Sequence, residues 1–134
     1  MIGYLTLGTN DLSRAGEFYD VLLSELGARR TMTDPRMLGW GTKTSQTMFS
    51  VIEPYDELDA SVGNGVMIAL DAGTVDAVRR VYNKAMELGA ADEGAPRDRG
   101  SQMGFYGGYF RDLDGNKLVA YCLNASKDDM KSAQ

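Results

Sequence analysis

The sequence predicts an α+β protein made of two copies of one βαβββ module, and three observations carry that expectation. A four-residue run, Glu25-Leu26-Gly27-Ala28, recurs as Glu87-Leu88-Gly89-Ala90, 62 positions further on, and Gly3 with Gly65 and Ala15 with Ala77 share the offset. Each copy opens with strand-like alternation and passes into a helical apolar stripe, the order expected of a helix laid on a sheet. The run from Tyr109 to Cys122 reads as strand, turn, strand, because Asp112-Leu113-Asp114-Gly115-Asn116 reverses the chain between apolar arms. A repeat this long implies that neither copy buries its sheet's apolar face alone.

Residues 2–9 alternate as a strand, with Leu5 and Leu7 on one face and Ile2, Tyr4 and Thr6 on the other. Asp11 suits an N-cap, and Leu12, Ala15, Phe18, Tyr19, Leu22 and Leu26 follow at helical spacing, with Gly27 as the stop. Leu5 and Leu7 are thus expected to face the helix and Tyr4 to point away. Strands follow at 28–34, 37–42 and 45–52, the last closed by Glu53-Pro54. The polar segment 55–63 links module 1–54 to module 64–124. In the second copy, residues 65–70 form a strand and Thr74 caps a helix with Val75, Val78, Val81, Tyr82, Ala85 and Leu88 inward. Residues 90–94 form a short strand, 96–104 a charged loop, and 105–110 a strand in which Gly107 and Gly108 suggest a bulge or close approach. On the outgoing strand Lys117, Val119, Tyr121 and Leu123 share one face, and Leu118, Ala120 and Cys122 the other. Residues 125–134 are polar and expected to fray.

A chain of 134 residues with 43% apolar content suits one compact domain. Its net charge of −5, with no basic cluster, argues against a nucleic-acid partner. No apolar run approaches the roughly 18 residues of a membrane span, and the start of the chain has no signal-peptide pattern. A single cysteine, Cys122, allows no internal disulfide and suits a reducing cytoplasm. The chain has no histidine, which removes the usual near-neutral proton shuttle and the commonest metal ligand together. Most zinc and iron sites are excluded on that ground.

The duplicated modules, the run Gly8-Thr9-Asn10-Asp11-Leu12-Ser13-Arg14-Ala15 with Phe18-Tyr19, and the Asp112–Asn116 turn together resemble the vicinal oxygen chelate superfamily. That superfamily includes glyoxalases, bleomycin-resistance proteins and extradiol dioxygenases, and the likeness runs from Ile2 to Cys122. It implies a curved mixed sheet with the helices on its outer face and a cavity on the other. It also implies a homodimer. Metal-dependent members hold a divalent ion on the open face, and the matching positions here are Tyr4, Met67 and Val119, with Ser50 as the best match to a less constant fourth. A phenol, a thioether, an alkyl group and a hydroxyl make no ordinary site for Zn, Mn, Fe or Ni. Metal-dependent glyoxalase or dioxygenase chemistry is therefore not expected, and no cofactor is called for.

The remaining reading is a small-molecule-binding protein with an apolar or aromatic ligand in the hollow of the sheet. Tyr4 offers a ring and a hydroxyl, while Trp40 and Met48 are large enough to wall a cleft. Tyr106 matches a tyrosine that faces the cavity in similar small proteins, and Tyr109 and Tyr121 would extend the wall, although alternation separates Tyr106 from some of them. Gln102 would supply a further polar contact. Arg36, Arg97 and Arg99 are the candidates for holding an anion. Asp112 and Asp114 are explained by the turn. Two other readings compete: a metal-independent isomerase or lyase using a tyrosine or carboxylate, and a structural or regulatory homodimer with a degenerate pocket.

Overall fold

The computed structural model of the chain describes residues 1–100 and 102–132. Two compact units divide it, Met1–Asn64 and Gly65–Gln134. In the first unit the order is β1 (Tyr4–Gly8), α1 (Leu12–Ser24), β2 (Arg29–Asp34), β3 (Met37–Gly41) and β4 (Met48–Ile52). The second repeats it with β5 (Ile68–Asp71), α2 (Val75–Glu87), β6 (Ala91–Asp98), β7 (Tyr106–Arg111) and β8 (Lys117–Cys122), then adds α3 (Lys127–Ser132). Each sheet is mixed: the first strand of a unit runs parallel to its last, and the other pairs are antiparallel.

The expectation of one curved mixed sheet is corrected. The strands pair in two separate four-stranded sheets, ordered β1-β4-β3-β2 and β5-β8-β7-β6, and neither is strongly curled. Each unit closes its ladder internally by pairing its first strand with its last, so no strand is shared between the two sheets. Among the described residues β1 and β2 are the edges of the first sheet, and β5 and β6 those of the second.

The repeated Glu-Leu-Gly-Ala run has a local cause. In the first unit Ala28 N–H donates to Leu23 O at 3.1 Å and Gly27 N–H to Ser24 O at 3.0 Å, while Gly27 takes φ 74°. In the second, Ala90 N–H reaches Ala85 O at 2.9 Å and Gly89 N–H reaches Met86 O at 3.1 Å, with Gly89 at φ 96°. This is the Schellman closure, which satisfies orphan carbonyls and needs a residue free to adopt positive φ. At the opposite ends Asp11 accepts from Arg14 N–H at 3.0 Å and Thr74 from Ala77 N–H at 3.1 Å, as N-caps do.

Each helix covers one face of its own sheet. Phe18, Tyr19 and Leu22 of α1 bury against Leu7, Leu38, Trp40, Phe49 and Val51, as the alternation of β1 predicts. Val78, Val81 and Ala85 of α2 bury with Phe110, Leu118 and Ala120. The turn after β7 is held from within: Asp112 Oδ1 accepts from Asp114 N–H and Asn116 N–H, both at 2.9 Å. Asn116 Nδ2 closes it on Asp112 Oδ2 at 3.0 Å. Those bonds account for both residues being buried.

Two segments depart from the sequence reading. The expected loop over 96–104 begins later, because β6 continues to Asp98 through two register shifts around Gly94, whose φ is 135°. The expected frayed tail contains α3, started by a reciprocal cap: Asp129 N–H donates to Ser126 Oγ at 3.0 Å and Ser126 N–H to Asp129 Oδ2 at 3.4 Å. Position 101 of that loop and positions 133–134 of that tail lie outside the described residues. No helix among the described residues is long and apolar enough to cross a membrane.

Candidate functional site

The faces left open by the helices are the candidate surfaces, and β-sheet parity fixes who stands on them. In the first unit, register pairs Tyr4 with Met48 and Thr6 with Ser50 across β1 and β4, while Ser50 faces Gly39 of β3. Tyr4, Met48 and Ser50 therefore share the open face. Tyr4 is 62% exposed. Met48 lies over Gly39, where an added Cβ would come within 2.6 Å of its Sδ. The buried Ser50 hydroxyl donates to the Leu5 carbonyl, so it is occupied inside the sheet.

Trp40 stands elsewhere. It pairs with Phe49 on the α1 side, where its ring meets Tyr19 at 5.7 Å and its Nε1–H donates to Asp20 Oδ1 at 2.8 Å. Asp20 also holds Arg30, at 3.1 and 2.8 Å. The expectation that Trp40 walls a cleft beside Met48 is corrected on this ground: neighbouring parity puts the two on opposite faces.

In the second unit Val119 pairs with Tyr109 and Ala69, and Tyr121 with Gly107 and Asp71. Met67 lies just before β5, outside the strand, and is 39% exposed. Phe105 stacks on Tyr121 with ring centroids 5.3 Å apart and planes 6° from parallel. The bare Gly107 permits this, since a Cβ there would meet Phe105 at 2.9 Å and Val119 at 3.2 Å. Val119 is fully buried in this packing. Next along the face, the Tyr109 ring lies under the Arg99 guanidinium at 4.8 Å and the Lys117 ammonium at 5.5 Å. Burial and the Asp71 carboxylate push the Tyr121 phenol up, so it stays protonated and can donate.

Tyr106 is on the other side. It pairs with Cys122 beneath α2, and its hydroxyl accepts from Arg79 Nε–H at 2.8 Å, so the expectation that it faces the open side is corrected. Gln102 is exposed in the turn before β7. Cys122 is buried, and burial first, then Asp71 and Asp129, raise its thiol. It is packing, with no reactive thiolate.

The three arginines separate in role. Arg36 donates to the Pro54 carbonyl and stands 3.8 Å from Glu53. Arg99 turns inward and donates to Gly107 O, Gly94 O and Ala95 O, each at 3.0 Å, tying the irregular β6 to β7. Desolvation and the nearby Arg97 pull its guanidinium below its usual value. Of the three, Arg97 is the exposed one, and among the described residues it is held by nothing stronger than the Asp98 carbonyl at 3.2 Å. Phe105 was missed by sequence reasoning as a surface group; the signal for it was Gly107 two residues on, the same face without a side chain.

The donor set does not fit a divalent metal. Tyr4, Met67 and Val119 offer a phenol, a thioether and an alkyl group, and the Ser50 hydroxyl is already committed. Among the described residues no group of three or more His, Cys, Asp or Glu side chains could hold an ion.

Neither a protein-family model nor a curated protein sequence matches the chain. Solved structures do. A glyoxalase/bleomycin resistance protein from Albidiferax ferrireducens T118 is 26% identical, with a TM-score of 0.83 over 91% of this chain and 98% of that one. A hypothetical protein from S. aureus is 29% identical, with a TM-score of 0.68 over 91% and 92% of the two chains. A glyoxalase/bleomycin resistance protein/dioxygenase family enzyme from Burkholderia phytofirmans PsJN is 17% identical, with a TM-score of 0.72 over 90% and 97%. The chain has the fold of the glyoxalase/bleomycin-resistance/dioxygenase superfamily, without a cluster of metal-ligating side chains among its described residues.

Proposed function

We propose that the chain is a metal-independent small-molecule-binding protein of the glyoxalase/bleomycin-resistance type, which takes an apolar or aromatic ligand against its open sheet faces. The observation that supports this most is the half-exposed aromatic row of the second unit: the Phe105–Tyr121 stack, with Tyr109 on the same face. Flat rings with one polar handle suit the recognition of another flat apolar body, and the raised Tyr121 phenol supplies a donor. Tyr4 and Met48 offer a comparable ring and thioether on the first unit's open face. Titration of the full chain with indole tests the reading. Indole is expected to raise the melting temperature, because a ligand of the folded state alone stabilises it. It is also expected to shift the amide signals of Tyr121 and Val119, and Tyr121→Ala is expected to weaken both responses. No movement of either quantity with indole or 2-naphthol overturns it.

No observation favours the isomerase or lyase reading, since Tyr121 and Tyr82, the phenols with displaced titration, move away from neutrality. A homodimer belongs to the same proposal. Sedimentation giving the 14.6 kDa monomer mass at all concentrations would remove that part alone.

A further inference from the structure

On the α2 side of the second sheet, a hollow of about 430 Å³ lies between α2, β6, β7 and α3. We propose that it binds a small organic anion, a phosphate or carboxylate head on an apolar or aromatic body.

The first argument is charge. Four cations, Arg79, Arg97, Lys127 and Lys131, line the hollow against one carboxylate, Asp98, in a chain whose net charge is −5. Gathering like charges around one cavity costs free energy that a bound anion offsets. Lys127 and Lys131 make no ion pair among the described residues. Asp129, two residues from each of them, is folded back on the Ser126 amide and lines a different hollow.

The second argument is an incomplete guanidinium. Arg79 Nε–H donates to Tyr106 Oη at 2.8 Å and Nη2–H to the Met130 carbonyl at 3.1 Å, so the side chain is clamped between β7 and α3. Its Nη1 is buried with no hydrogen-bond partner among the described residues. A charged donor left unmade is expensive, and the two bonds fix this guanidinium at the wall of the hollow, where an oxyanion is the partner its charge suits. The third argument is the wall. Pro96, Met130 and the buried Tyr106 give the hollow an apolar side, and its volume is within the roughly 300–1,000 Å³ of small-molecule sites. A bare inorganic ion would leave that side unused.

The full chain, isotopically labelled, is titrated with phenyl phosphate, benzoate, inorganic phosphate and the neutral benzyl alcohol. Phenyl phosphate or benzoate is expected to shift the amides of Tyr106, Arg97 and Met130, and to bind at least about tenfold more tightly than benzyl alcohol or inorganic phosphate. Which of the two aromatic acids binds more tightly identifies the head. The double variant Arg97→Gln/Lys131→Gln changes two exposed side chains and leaves the clamped Arg79 in place. It is expected to keep the melting temperature and to lose about tenfold in affinity. The proposal is overturned if neither aromatic acid shifts these amides by about 10 mM, if benzyl alcohol or inorganic phosphate binds as well, or if the double variant binds unchanged. These signals lie on the α2 face, so this outcome is separate from the indole response at Tyr121.

Discussion

The Tyr82 hydroxyl donates to Asp92 Oδ1 at 2.7 Å, and the pair displaces both titrations. Burial first, then the bond to Asp92 and its charge, push Tyr82 from 10.0 up to about 12. The folded state thus favours the neutral phenol, a contribution that is complete below the ordinary tyrosine value and is lost as pH rises from about 10 through about 12. Asp92 moves the other way, lowered first by the Tyr82 hydrogen bond and then by the Gly94 amide. Its contribution is present above 3.8 and disappears as pH falls below that value. In Tyr82→Phe the Asp92 titration, followed by carboxyl NMR, is expected to return upward toward 3.8; an unmoved titration would show that the hydroxyl is not its cause. At this scale alternation was a good guide to single strands, placing Tyr4 away from α1 and Val119 with Tyr121. Trp40 and Tyr106 were nominated on other grounds, size for the one and resemblance for the other, and both stand on the helix side, because their partners, Phe49 with Asp20 and Cys122 with Arg79, are set by register and packing across distant parts of the chain.

Helices and turns were the most legible elements, since their signals are local. Asp11, Thr74 and the two Glu-Leu-Gly-Ala endings state where α1 and α2 start and stop, and Asp112 to Asn116 carries its turn's hydrogen bonds within five residues. The helix α3 was not read from the same kind of signal. Six residues, five of them polar, are too few to hold a helix alone, and what fixes this one is the Arg79 bond to the Met130 carbonyl, 51 positions away. Its reciprocal cap is the local part. Ser126→Ala is expected to cost α3 about 1 kcal/mol and to speed amide exchange at Met130 while exchange in α2 stays as it was. Unchanged exchange at Met130 would mean that the Arg79 contact alone carries α3.

For the molecule as a whole, the repeat was legible as repeated sequence, but which strand edges meet was not. That question decided against one curved sheet, because each unit satisfies its own first strand with its own last. A consequence can be measured with the two helix caps, which share no partner. Asp11→Ala and Thr74→Ala are each expected to cost about 1 kcal/mol, and the double variant to show their sum to within about 0.5 kcal/mol in urea denaturation followed by circular dichroism. A clear departure from the sum would show that the caps are coupled. Trp40 is the only tryptophan, and it is sealed beside Tyr19 and Asp20 in Met1–Asn64. Its emission is thus a chromophore for one half of the chain and silent about the other. A thermal curve recorded at that wavelength, set beside tyrosine absorbance, would reveal whether the halves melt in one step or in two.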